Sequence, residues 1–220
     1  MNWIKNGGKI ENIFNLDETA LFYKLQRNQT LASCAQAGKK VNKDRLTVAV
    51  ICDALGNKKT RPIVIGKHKR PHCFGRWDAN SIVDYYFNST AWMTMDIFET
   101  WLLKFNKQMK LQNQNVLLLV DNAGGHNLTD EFKKKITNVD VYFLPPNTTS
   151  VIQPCDQGII RVFKANYRYL LSKFCVRNLE IKDELVMPNV KEAIYMIKEA
   201  WDKVSREAIV NCWRHAGNIL

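Results

Sequence analysis

A 220-residue chain with 46% apolar and 10% aromatic residues can build one domain with a substantial core, or one domain with a helical appendage. Its formal net charge of +11 favours a polyanionic partner, nucleic acid above all, over an acidic one, although surplus lysine also serves plain solubility. No apolar run reaches the roughly 18 residues of a membrane span, and the opening MNWIKNGGKIENIF lacks the apolar centre of a secretory signal, so a membrane protein and a secreted scaffold are both set aside.

Taken in chain order, KIENIFNL at 9–16 reads as a strand that ends at Asp17. LTVAVICDA at 46–54 is rich in β-branched residues and reads as a stronger strand. Gly56-Asn57 supplies a turn, and RPIVIGK at 61–67 returns as the hairpin partner, with Pro62 putting its start at a sheet edge. Phe98, Trp101, Leu102, Phe105 and Met109 keep helical spacing over 95–109, with Thr94 as the cap and Asp96 in the first turn. VLLLV at 116–120 is apolar at every position, the pattern of a central strand covered on both faces. A short helix over 128–136 and a strand over 139–144 follow, and two prolines end that strand.

From 158 on the pattern is helical: Ile159, Phe163, Tyr167, Leu170 and Phe174 form one stripe. Pro188 suits the start of another helix, and Ser205 caps a last one. The order predicts an α/β fold with a mixed sheet flanked by helices, plus C-terminal helices. The weak seam at 180–188 divides residues 1–180 from a helical extension over 181–220.

Six cysteines at 34, 52, 73, 155, 175 and 212 include no C-x-x-C pair and read as reduced thiols. His68, His72 and Cys73 lack a recognisable fourth zinc ligand, and a polar loop is the better account of them.

Three aspartates carry the chemistry. Asp17 closes the first strand, Asp121 closes VLLLV, and Asp156 in QPCDQG precedes the long helix. Strand ends at one edge of an α/β sheet are where sites form. If the first and the VLLLV strands are parallel neighbours, Asp17 and Asp121 come side by side, and the helix after Asp156 can add a third carboxylate. Three close carboxylates either hold protons at raised pKa or bind a cation. Hard oxygen ligands suit Mg²⁺ or Mn²⁺, and a pair of such ions about 4 Å apart can activate an attacking oxygen and stabilise a leaving one. Each aspartate taken singly is equally a turn residue or a cap, and His126 singly is a loop residue, a proton-transfer group or a group that orients a ligand.

NLDET, RPIVIGK, YYFNSTAWMTMDIFETWLLKFNKQM, LLLVDNAGGH and FLPPNTTSVIQPCDQGIIRVFKANYR occur in this order. Together they resemble the catalytic core of the DDE superfamily endonucleases of the Tigger, pogo and jerky group, to which centromere protein B is related. The likeness runs from about residue 10 to at least 178, and LPPNTTS-x-x-QP-x-DQG and AWMT-x-x-x-F are its most specific parts. The resemblance implies a ribonuclease-H-like fold and an acidic triad whose third member is Asp. Asp17 matches the first acid, Asp121 the second and Asp156 the third, with residues 122 to 155 between the last two. It implies that these three hold Mg²⁺ or Mn²⁺, two ions in number, with Glu18, Asn122 and His126 as neighbours that orient them. Asn122, Gly124 and Gly125 would let the chain turn away from the metal. Lys164 and Arg168 on the helix after Asp156 are candidates for phosphate contact.

The activity implied is cut-and-paste transposition: phosphodiester cleavage at a transposon end, then attack of the freed 3′-hydroxyl on target DNA. DNA is the implied partner, the nucleus the implied compartment, and a homo-oligomer a compatible state. Members of the group carry helix-turn-helix modules ahead of the core, whereas 16 residues precede Asp17 here. A non-catalytic DNA- or chromatin-binding protein descended from a transposase is the competing expectation.

Overall fold

The computed structural model describes residues 3, 7–24, 44–122, 126, 128–146 and 148–217. A six-stranded sheet forms the middle layer. Its strands are β1 (Ile13–Phe22), β2 (Arg45–Asp53), β3 (Ile63–Gly66), β4 (Asp84–Phe87), β5 (Val116–Val120) and β6 (Val139–Phe143). They lie in the order β4-β3-β2-β1-β5-β6. β2 runs antiparallel to both β1 and β3, whereas β1–β5, β5–β6 and β3–β4 are parallel. An antiparallel set whose first strand pairs in parallel with later ones is the ribonuclease-H-like arrangement that the sequence motifs imply.

Side chains alternate across a strand, so each strand feeds two cores. On one face Phe14, Leu16, Ala49, Ile51, Ile63, Ile65 and Leu118 pack under α1 (Met95–Leu111), which lays down Phe98, Trp101, Leu102 and Phe105. On the other face Ile13, Leu21, Val48, Val50, Leu117 and Leu119 meet three C-terminal helices. Between β5 and those helices lie two short ones, α2 (Asp130–Lys133) and α3 (Thr149–Ile152). The C-terminal helices are α4 (Ile160–Lys182), α5 (Val190–Asp202) and α6 (Arg206–His215). They bring Phe163, Tyr167, Ile197, Trp201 and Trp213 to the sheet, each at about 1.5–3 kcal/mol of burial free energy. VLLLV is accordingly buried at all five positions.

The expected caps form: Thr94 accepts from Ile97 N and Ser205 from Ala208 N. Gly56 takes φ +65° in the β2–β3 turn. Four expectations are corrected. β1 runs on to Phe22, because β2 pairs with it from Phe14 to Phe22; Asp17 therefore sits inside a strand rather than at its end. β3 is interior, since the unexpected strand β4 pairs alongside it, and the Asp84 N–H donates to the Pro62 carbonyl at 3.0 Å. α5 starts from Asn189 instead of Pro188, through a reciprocal capping box with Glu192. α4 is preceded by a π-helical turn, Cys155–Ile159, where the sequence pattern predicts a helix from 158 on.

Candidate functional site

β5 stops at Val120 while β1 continues, so among the described residues the second half of β1 has no strand partner on that side. The β1–β5 pairing runs at a constant offset, Ile13 to Leu117 and Asn15 to Leu119; two residues further the same offset sets Asp17 level with Asp121. This is the parallel adjacency on which the sequence argument depended. Asp17 lies on the face of Ile13 and Leu21, where the C-terminal helices pack.

Asp156 reaches that face through the π turn. Asn15, fully buried two residues before Asp17, donates from Nδ2 to the Leu119 carbonyl at 3.0 Å and accepts the Cys155 N–H at 2.9 Å. One amide side chain thus ties β1, β5 and the turn together. Gly158 holds φ +147° in the turn, and a Cβ there would lie 3.2 Å from Cys212 Sγ, so both backbone and space call for glycine. The sequence reading missed Asn15; an amide inside the apolar run IFNL was the signal available.

The electrostatics record the crowding. Asp17 is 7% exposed, and its Oδ2 has no hydrogen-bond partner among the described residues. Burial, then the charges of Asp156, Glu18 and Asp121, and then a carboxyl–carboxylate hydrogen bond to Asp156 push its pKa up to about 9. Asp156 is also raised, by burial and by Asp121, while its hydrogen bond with Asp17 pulls the other way. Both carboxyls are thus pushed toward their protonated forms, by burial first and by neighbouring carboxylate charge next. Lys164 is half-buried on α4 within electrostatic reach of Asp17; burial foremost, then Arg168, lower its pKa, and Asp17 opposes them. Arg168 is exposed one turn further on.

Glu18 points to the opposite face of β1, where His126 meets it. The imidazole is 1% exposed, with Nδ1 at 2.6 Å from Asp121 Oδ1 and Nε2 at 2.7 Å from Glu18 Oε1. The Phe98 ring lies 4.7 Å away, centroid to centroid. Burial alone would lower the pKa of His126, but the two hydrogen bonds and the two carboxylate charges outweigh it and raise it to about 10. Glu18, Asp121 and His126 place possible ligand atoms within 4.8 Å of one another. In this arrangement both imidazole nitrogens are engaged by carboxylate oxygens. The group is a clamp on Asp121.

Asn122 is exposed beside Asp121, and the expected turn at Gly124 and Gly125 lies outside the described residues. His68, His72 and Cys73 do not assemble a metal group among the described residues, and Cys52, Cys73, Cys155 and Cys212 are free thiols. Gln153, before the π turn, is 1% exposed with Oε1 unpartnered among the described residues.

A search of protein families matches residues 43–213 to the family described as DDE superfamily endonuclease. The curated relatives include CENP-B homolog protein 2 of Schizosaccharomyces pombe, 34% identical over 94% of this chain and 42% of its own length. Tigger transposable element-derived protein 4 of Mus musculus is 31% identical over 94% of this chain and 40% of its own. The Jerky protein homolog of Homo sapiens is 29% identical over 96% and 38%. The chain thus spans about two fifths of the length of these relatives. Among solved structures, the catalytic domain of the Mos1 mariner transposase matches with 12% identity and a TM-score of 0.45, over 98% of this chain and 87% of that one.

Proposed function

The chain belongs to the DDE superfamily endonuclease family, and from that premise we propose that it is a transposase-derived core that cleaves DNA phosphodiesters with a divalent metal and transfers the freed strand. The observation that carries this reading is the place of Asp17: a buried carboxyl, one oxygen without a partner among the described residues, beside two further carboxylates whose charges, after burial, raise its pKa. Such a cluster is under-compensated, and a hard cation relieves it. The donor set is all carboxylate oxygen, which fits Mg²⁺ or Mn²⁺. Asp17, Asp121 and Asp156 would hold the metal, as one ion or two. Bound there, it would supply Lewis-acid activation of an attacking oxygen and charge neutralisation at a leaving one.

The protein's own groups do the rest. Asp17 gives up its proton before both its oxygens can serve as ligands. His126 donates from Nδ1 to Asp121 and from Nε2 to Glu18, which stops the Asp121 carboxylate from rotating. Lys164 and Arg168 offer positive charge to a phosphate on the side where Asp17 lies. With relatives named for transposable elements and for the centromere, DNA is the partner and the nucleus the compartment that this reading assigns. Residues 1–180 form its catalytic unit and 181–220 the helical extension that covers one sheet face, where Trp201 and Trp213 are buried with Val48 and Val50.

The test is cleavage of supercoiled plasmid by the purified chain with Mn²⁺ or Mg²⁺, beside Asp121→Ala and an EDTA control, with Mn²⁺ affinity measured by calorimetry in parallel. Nicking that needs metal and disappears in Asp121→Ala supports the reading. Salt-sensitive DNA binding with neither nicking nor Mn²⁺ uptake would replace it with that of a non-catalytic DNA-binding descendant.

A further inference from the structure

The AWMT segment is among the most specific parts of the sequence, yet nothing in the acidic site uses it. Trp92 is 54% exposed, unusual for the largest apolar side chain. It is not loose. Asn88 organises the loop beneath it: Oδ1 accepts from Thr90 N, Thr90 Oγ1 and Trp92 N, and Nδ2 donates to the Trp92 carbonyl at 2.7 Å. Thr47 Oγ1 donates to the buried Ala91 carbonyl at 2.6 Å and anchors the loop to β2. The Arg45 guanidinium sits 3.9 Å from the centroid of the Trp92 ring and donates to the Thr90 carbonyl at 2.8 Å. One face of the indole is therefore held by a cation.

Arg45 pairs across the sheet with Phe22, itself 40% exposed at the end of β1. Phe22, Arg45, Lys67, Ser89, Thr90 and Trp92 line a groove of about 360 Å³. Among the described residues its lining has two rings, two cations, two hydroxyls and no carboxylate. Exposed rings interleaved with positive charge are the chemistry that stacks bases while tracking a phosphate backbone. Phe22 also lies on the same face of β1 as Glu18, four residues on and so about 13 Å away, along the stretch of β1 that β5 leaves unpaired.

We propose that this groove receives unpaired nucleotides of a DNA strand, one base stacking on Trp92 and the adjoining phosphate facing Lys67 and Arg45. The choice of DNA rests on the function proposed above; the stacking site itself does not need the metal or the cleavage step.

The experiment is therefore run in EDTA. Fluorescence anisotropy compares a labelled oligothymidine, a duplex with a single-stranded overhang and a blunt duplex, binding to the full chain and to Trp92→Ala, Trp92→Phe and Phe22→Ser. Melting temperatures confirm that each variant folds. Trp92→Ala is expected to weaken single-strand and overhang binding roughly ten- to a hundredfold and to leave blunt-duplex binding unchanged. Trp92→Phe retains most of the affinity, and Phe22→Ser gives a smaller loss confined to the same two ligands. Equal single-strand affinity in wild type and Trp92→Ala overturns the proposal, as does an equal loss for all three ligands. A wild-type dimer that Trp92→Ala dissociates in sedimentation would also overturn it, by giving the ring face to a second copy. Plasmid that stays intact with Mn²⁺ while overhang binding keeps its dependence on Trp92 would remove the nuclease reading and leave this one standing.

Discussion

His126 Nδ1 lies 2.6 Å from Asp121 Oδ1, joining a fully buried ring to a carboxylate at the mouth of the sheet. Its other nitrogen is taken by Glu18, so the ring cannot turn without leaving a buried group unpaired. His126→Ala strands two partly buried carboxylates. It is expected to cost about 3 kcal/mol, a fall in Tm of roughly 6–12 °C, and to weaken Mn²⁺ binding at least about tenfold. Calorimetric melts and Mn²⁺ titrations check this. Unchanged metal affinity in a folded His126→Ala would end the idea that the ring orients Asp121.

Asp17→Asn removes the group that burial and its acidic neighbours disfavour. The metal-free variant is expected to melt at least about 3 °C above wild type at pH 8, on the order of 1 kcal/mol, while losing the stabilisation that Mn²⁺ gives to wild type. A variant less stable than wild type without metal would show that the Asp17 carboxyl is already compensated.

The pH dependence follows from the same groups. Asp17 is raised from 3.8 to about 9, so the folded state holds a proton that the unfolded state has lost, and stability falls with rising pH across that window. His126 is raised from 6.5 to about 10, because its bonds to Asp121 and Glu18 outweigh burial. Its contribution is complete below about 6.5 and lost as pH rises through about 10. Both groups act in one direction: the metal-free protein should lose Tm steadily from pH 7 to pH 10, and the gain on adding Mn²⁺ should grow toward pH 9. Melts in EDTA and in Mn²⁺ across that range measure both slopes; a metal-free Tm that is flat or rises would contradict them.

Lys59 joins the β2–β3 hairpin to the end of α5. Its Nζ donates to the carbonyls of Trp201, Asp202 and Val204 at 2.9, 2.9 and 2.8 Å, where a helix C-terminus leaves acceptors unfilled and favours a cation. Lys59→Met is expected to cost about 2 kcal/mol, a drop of roughly 4–8 °C, with plasmid nicking per folded molecule unchanged. No loss of Tm would mean that water serves those carbonyls equally well.

Much of this was legible because it is local. The apolar run of β5, the β2–β3 turn at Gly56, the stripe of α1 and the caps at Thr94 and Ser205 each depend on a few adjacent residues, and each formed as the sequence predicts. β4 was not legible, since DYYF is four residues long and becomes a strand only because β3 offers it an edge. The end of β1 was misplaced for a related reason: the acid at position 17 looked like a terminus, and only the pairing with β2 carries the strand on to Phe22. The π turn at Cys155–Ile159 depends on Asn15, 140 positions away, accepting the Cys155 N–H.

The sequence by itself determined the three aspartates, their order and the layered α/β pattern, because residue type and short-range periodicity are sufficient for these. The tertiary structure alone decided that the pKa values of Asp17 and His126 are raised, that His126 is clamped between Glu18 and Asp121, and that Trp92 is presented rather than buried. Protonation and exposure are set by desolvation and by charges brought together from distant parts of the chain, and neither exists until the strands have paired.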